Sequence, residues 1–210
     1  MGYNPPMSKI KTPLAGFGLT LLAILGLALL GPEEQSLGAN VRIVYLHGAW
    51  VLTAELAFLA AALTGLLALL LRRPALHRWS AALGRAGILF WITYLPLSLW
   101  AMQSNWNGLF LAEPRFRLAL TFAVVGLLLQ AGLWVLNMNW ITSAANLLFF
   151  VVLRVVFSTA SNIMHPPPSP IFNSGNYWII GFFILLNLLA WLAAFLLTVW
   201  LLRRGDRPPA

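Results

Sequence analysis

Six long apolar runs alternate with short polar breaks along the chain, and each run approaches the roughly 20 residues that a helix needs to cross a bilayer. The first, 13–30, is closed by Gly31-Pro32-Glu33-Glu34, an acidic pair that reads as a solvated loop. The second, 43–71, is longer than a span requires, so it tilts or protrudes, and it stops at Arg72-Arg73-Pro74. The third, 86–102, carries Pro96 near its end, where a kink is expected. The fourth, 118–136, passes through a tight turn at Asn137-Met138-Asn139 into the fifth, 141–163. Pro166-Pro167-Pro168 then forbids helix and enforces an extended path. Asn176 is positioned to cap the sixth run, 177–202, which Arg203-Arg204 ends.

Between the third and fourth runs, Trp106, Leu109 and Phe110 recur at i, i+3 and i+4, which predicts a short helix lying in the interface. The expected fold is all-α: a polytopic membrane protein with a single six-helix transmembrane domain over 1–210 and that interfacial helix between helices three and four. No internal repeat or low-complexity tract interrupts it.

Composition agrees with the pattern. The chain is 60% hydrophobic and only 9% charged, against about 25% charged in a soluble domain. The absence of cysteine excludes disulfides, thiolate metal sites and cysteine nucleophiles. The +8 net charge does not point to nucleic acid, because the basic residues sit at helix ends. Lys9, Lys11, Arg72, Arg73, Arg78, Arg85, Arg203, Arg204 and Arg207 fall on one side. Arg42, Arg115 and Arg117 fall on the other, with Glu33, Glu34 and Glu113. This asymmetry predicts both termini in the cytoplasm and a multi-pass protein of the cell inner (plasma) membrane. The first run follows Lys9 and Lys11 as a signal peptide would, but an acidic loop follows it, so it reads as an anchor.

Candidate chemistry gathers on the side away from the termini. His47 opens the second run, with Trp50 three residues on, and His165 follows the fifth run. Imidazole nitrogen is an axial ligand of haem iron, so two histidines at helix ends are placed to clamp a haem. Two alone make a poor zinc site, which usually needs three or four protein ligands. His77 lies among arginines on the cytoplasmic side and reads as solvated. Glu55 and Arg154 lie inside apolar runs, where a charge costs at least about 2.5–3.5 kcal/mol. Counting along each helix from the two histidines puts both charges at a similar depth, so they are expected to pair or to share a polar cavity. The pair then fixes helix register, or Arg154 meets a haem propionate, or Glu55 relays protons. Trp100, Trp106 and Phe110, with Glu113 and Arg115, anchor the chain in the interface or form a flat platform beside a porphyrin, with arginine for its carboxylates.

Taken together these residues resemble the CcmC-type members of the cytochrome c assembly family. That family has six helices, both termini in the cytoplasm and a Tyr-Ile-His-Val-Pro-Ala-Ala-Trp-like opening of helix two; here Tyr45-Leu46-His47-Gly48-Ala49-Trp50 stands in that place. Its tryptophan-rich outer loop ends in Trp-Asp-x-Arg, and here Leu99-Trp100, Trp106-Asn107-Gly108 and Glu113-Pro114-Arg115 are similar to it, with Leu109, Phe110 and Ala112 replacing tryptophans. Asn162-Ile163-Met164-His165-Pro166 is similar to its second histidine site.

The resemblance implies a haem-binding, non-enzymatic membrane protein of c-type cytochrome assembly or haem delivery. It would hold non-covalent b-type haem at the outer face between His47 and His165. Its partners would be the lipid bilayer and other membrane proteins of a cytochrome assembly or respiratory complex. The alternatives are a cofactor-free subunit or scaffold of a larger membrane complex and, less well matched, a small transporter using Glu55 and Arg154.

Overall fold

The computed structural model describes residues 7–161 and 170–205, and the side chains of 12–161 and 170–204. Six helices are long and apolar enough to cross a membrane: α1 (Met7–Leu29), α2 (Val41–Leu71), α3 (Pro74–Trp106), α4 (Pro114–Leu136), α5 (Asn139–Ser158) and α7 (Tyr177–Gly205). A single turn, α6 (Pro170–Asn173), precedes α7. Among the described residues there is no strand. The chain is therefore an all-helical, multi-pass membrane protein whose spanning helices contact lipid.

Pro74 moves one boundary. It occupies the first turn of α3, where a missing N–H costs nothing, and Arg73 before it is extended. α3 therefore begins twelve residues before the expected 86, and His77, Arg78 and Arg85 are helical rather than in a loop. At its other end α3 runs through Trp106 and stops at Asn107, which adopts the left-handed conformation. Residues 107–113 are not helical, so the expected short interfacial helix is not found: Trp106 belongs to the end of α3 and Phe110 folds back onto it, ring centroids 5.9 Å apart. The fifth helix ends at Ser158, where 163 was expected. Asn137 is left-handed in the turn between α4 and α5, and the Asn176 side chain accepts from the Trp178 N–H at the start of α7.

α2 is the central helix, packed on α3, α5 and α7, while α1 packs along α7. Its buried face is rich in small residues: Ala49, Ala54, Ala57, Ala61, Ala62, Gly65 and Ala68. In lipid, helices associate through close van der Waals approach rather than a hydrophobic drive, which small residues allow. At Gly65 a Cβ would fall 2.8 Å from the Ser143 carbonyl oxygen and 2.9 Å from Ser80 Oγ. Larger rings fill the middle: Trp91 is fully buried, edge-on to Tyr94 and Phe157, and donates its indole N–H to the Ala119 carbonyl at 3.0 Å.

α5 runs parallel to α3 with a constant offset. His77 meets Ser143 and Ser80 meets Asn146, both 66 positions apart, and Trp91 meets Phe157. The last residue of α5 is thus level with about Ile92, and α3 continues to Trp106, about 20 Å further at 1.5 Å per residue. α4 starts at Pro114, near the level of Trp91 and Ala119. α2, α3 and α7 therefore stand taller than α4 and α5 at the end away from the Arg72, Arg73, Arg203 and Arg204 cluster, leaving a step. The connector after α3, residues 107–113, crosses that step.

Candidate functional site

The step is where the polar chemistry collects. On its α2 wall His47 packs its ring against Tyr94 of α3, centroids 5.7 Å apart. The 3.6-residue repeat puts Tyr94 with Trp91 and Ser98 on the buried face of α3. At its floor Arg154 Nη1 donates to Glu55 Oε2 at 2.9 Å, joining α5 to α2. The expected pairing of the two intramembrane charges is therefore present. The pair is not sealed inside the bundle: the side chains are 51% and 26% exposed. Arg115, near the start of α4, places a second positive charge within electrostatic reach of Glu55. The carboxylates of Glu55 and Glu113 both act electrostatically on the Tyr94 hydroxyl.

Glu113 caps a helix. Its Oε2 accepts the Phe116 N–H, capping α4, and the side chain is buried. Oε1 is buried with no hydrogen-bond partner among the described residues. Glu113 thus fixes where α4 begins and so where Arg115 stands.

The tryptophans do not form one platform. Trp50 is half-buried, donates to Thr93 Oγ1 at 3.2 Å and packs on Phe90. Trp106 pairs with Phe110. Trp100 faces away from Tyr94 and lines a small apolar cavity of about 200 Å³ with Ala28 and Leu29 of α1 and Ile43 and Leu46 of α2. A second, polar groove of about 420 Å³ lies between the α1–α2 loop and the start of α7, lined by Glu33, Glu34 and Asn176 among others. His47 lines neither. His165, and with it the expected second axial position, lies outside the described residues, as do Pro166, Pro167 and Pro168.

Beside the polar groove, the Glu34 carboxylate accepts from the Ser36 hydroxyl and from the backbone N–H groups of Ser36 and Leu37. These bonds, the Ser36 hydroxyl foremost, hold its pKa below the ordinary carboxylate value. Tyr45 donates its hydroxyl to the Pro32 carbonyl, and Arg42 donates to the Gly31 carbonyl. The loop that precedes His47 is thereby clamped to α2.

At the opposite end lies a polar network that reading the sequence did not foresee. Gln130 of α4 donates to Asn146 Oδ1 at 2.8 Å; Asn146 donates to the Ser80 carbonyl and hydroxyl; Ser80 donates to the Ala61 carbonyl. His77 Nδ1 lies 2.7 Å from Ser143 Oγ. Gln130 and Asn146 each interrupt an apolar run, which was the available signal. His77, expected to be solvated, is half-buried within this helix crossing.

The residues around the step fit haem in kind. His47 carries an imidazole, the kind of side chain that ligates haem iron, and Arg115 and Arg154 are cations of the sort that meet propionates. Comparison with known proteins gives no match: no family model, no curated protein and no solved structure is significantly similar to the chain.

Proposed function

We propose that this protein binds haem at the step in a c-type cytochrome assembly or haem-delivery role, doing no bond-making chemistry of its own. The observation that carries the reading is the convergence of His47, Tyr94, the Glu55–Arg154 pair and Arg115 at one end of the bundle, from helices far apart in sequence. A ligand at this level is half in lipid and half in water, which suits an apolar macrocycle with two carboxylates.

Haem would supply an iron centre that takes imidazole nitrogen as a ligand. His47 would hold it from the α2 wall through a ring nitrogen, with its ring packed against Tyr94. Arg115 is the better placed propionate partner, because Arg154 is already engaged by Glu55. Glu113 orients Arg115 by capping α4. His165 is the second ligand in this reading, and the side bearing the step is the outer face of the cell inner membrane.

The test is the absorption spectrum of detergent-purified protein from haem-replete cells. The reading expects a Soret band that is lost in the His47→Ala, His165→Ala double variant. A colourless wild-type protein that also fails to take up added haemin would contradict it.

A cofactor-free subunit of a membrane complex remains the second reading. Its support is that Trp50, Trp100 and Trp106 lie on separate surfaces rather than around one ligand.

A further inference from the structure

Arg85 is a charge that the proposed site does not use. It is half-buried in α3, and among the described residues it makes no hydrogen bond or ion pair. No carboxylate of the chain acts on it electrostatically. The chain's acidic residues number five, and none is placed to serve it. Glu33 and Glu34 lie in the α1–α2 loop, Glu113 caps α4, and Glu55 is held by Arg154 between α2 and α5. Asp206 follows the end of α7. Trp79 stands beside Phe195 of α7, so Arg85 is level with about Leu189, sixteen residues or about 24 Å from Gly205.

Depth excludes lipid as the complement. The constant offset between α3 and α5 sets Arg85 level with Val151. That is twelve residues from the start of α5 and seven from its end, about 18 and 10 Å. The side chain inclines toward the start of α3, away from the nearer edge. On that side the exposed Trp134 and Trp140 mark the interfacial belt, about 16 Å below Arg85 at Trp140. The headgroups are therefore beyond the reach of a snorkelling arginine, and the acyl chains at mid-span carry no charge. A guanidinium left there alone is costly.

Arg85 also faces outward. It shares a stripe of α3 with Arg78, Leu89, Pro96 and Gln103, all exposed. On one flank of the stripe Ile88 packs against the position of Gly126 in α4. On the other Trp79 stacks on Phe195 of α7, centroids 6.4 Å apart. Among the described residues α4 and α7 do not touch each other, so the face of α3 between them is open.

We propose that this face of α3 seats a transmembrane helix of another protein that carries a carboxylate in the middle of its span. Charge complementarity selects that occupant. An aspartate or glutamate there offers two oxygens that suit bidentate contact with a guanidinium, and the low dielectric strengthens the attraction. A second copy of this chain does not fit. Its carboxylate nearest this depth, Glu55, is already engaged by Arg154, and two copies packed stripe to stripe about a two-fold axis would set Arg85 against Arg85. The seat is independent of whether haem binds at the step.

The experiment is energy transfer in phosphatidylcholine vesicles between the full chain, donor-labelled at its N-terminus, and acceptor-labelled synthetic transmembrane peptides. The peptides are leucine–alanine helices with a single glutamate at the centre, a single glutamine at the centre, or the glutamate moved to one end. Wild type is expected to bind the central-glutamate peptide about five-fold more tightly than the other two, as an interhelical polar contact allows. Arg85→Leu should remove that preference, and Arg154→Leu, which removes the other cation near this depth, should leave it. Arg85→Glu should transfer the preference to a peptide with a central lysine. Equal binding of all three peptides by wild type, or an unchanged preference in Arg85→Leu, would overturn the proposal. So would self-association of the chain that depends on Arg85. Should Arg85→Leu fail to fold, Arg85→Gln decides: a preference as large as that of wild type in a folded protein counts against the pair.

Discussion

Glu55 and Arg154 show how far a single residue can be read. Each was visible as a charge in an apolar run, and counting along two helices placed them at one depth; the 2.9 Å contact follows. Because both side chains are partly exposed, the coupling should be modest, about 1 kcal/mol as for other interhelical polar contacts in membranes. Arg154→Leu and Glu55→Leu should each lower the melting temperature in detergent, and the double variant should lose less than the sum. Strict additivity would mean that the contact is not made.

Glu34 gives a pH prediction of definite sign. A carboxylate whose folded-state pKa is depressed contributes stability at pH above its unfolded value, 4.5, and that contribution is lost as pH falls through the folded value. Thermal melts from pH 7 downward should show wild type losing stability below about pH 4.5 and Glu34→Gln losing less. Parallel curves would contradict this. Reading the sequence took the Glu33–Glu34 pair as solvated loop. Its capture by Ser36 and Leu37 was not foreseen, because it depends on a turn that carries no strong local signal.

At the scale of elements, the six spans were legible because hydrophobic length is a strong signal and lipid permits few alternatives. Their ends were less so. α3 gained its first turns because Pro74 starts a helix as readily as it stops one. The short interfacial helix was lost because three aromatic and aliphatic positions satisfy a helical period without requiring a helix. Close helix contacts were legible only as small residues, not as specific crossings. At Gly126 a Cβ would fall 2.6 Å from Ile88 Cδ1 and 3.0 Å from Phe149 Cζ. Gly126→Leu should therefore cost about 1–3 kcal/mol through overpacking. Gly132→Ala, where nothing lies within 4 Å, should be neutral or stabilising by up to about 1 kcal/mol; thermal melts of the two variants check both. Asn146→Leu would leave Gln130 and Ser80 without a shared partner, a cost of about 1–3 kcal/mol. A melting temperature equal to wild type would show that the network binds the helices less than its geometry implies.

The whole molecule owes its asymmetry to helix length. α4 has 23 residues and α5 has 20, against 31 in α2 and 33 in α3. The two shorter helices end at the level of Trp91 and leave the step on which His47, Tyr94, Glu55, Arg154 and Arg115 converge. The sequence contained His47, Glu55, Arg154 and Arg115 as candidates. It concealed Tyr94, whose role depends on which face of α3 turns inward. It also grouped Trp100 with Trp106, although six residues on a helix point them in different directions.

The most direct measurement is magnetic circular dichroism of the haem-loaded chain, which reads the axial ligands of the iron. The predicted result is a low-spin, bis-imidazole spectrum in wild type that becomes five-coordinate and high-spin in His47→Ala. A spectrum unchanged by His47→Ala would contradict the account.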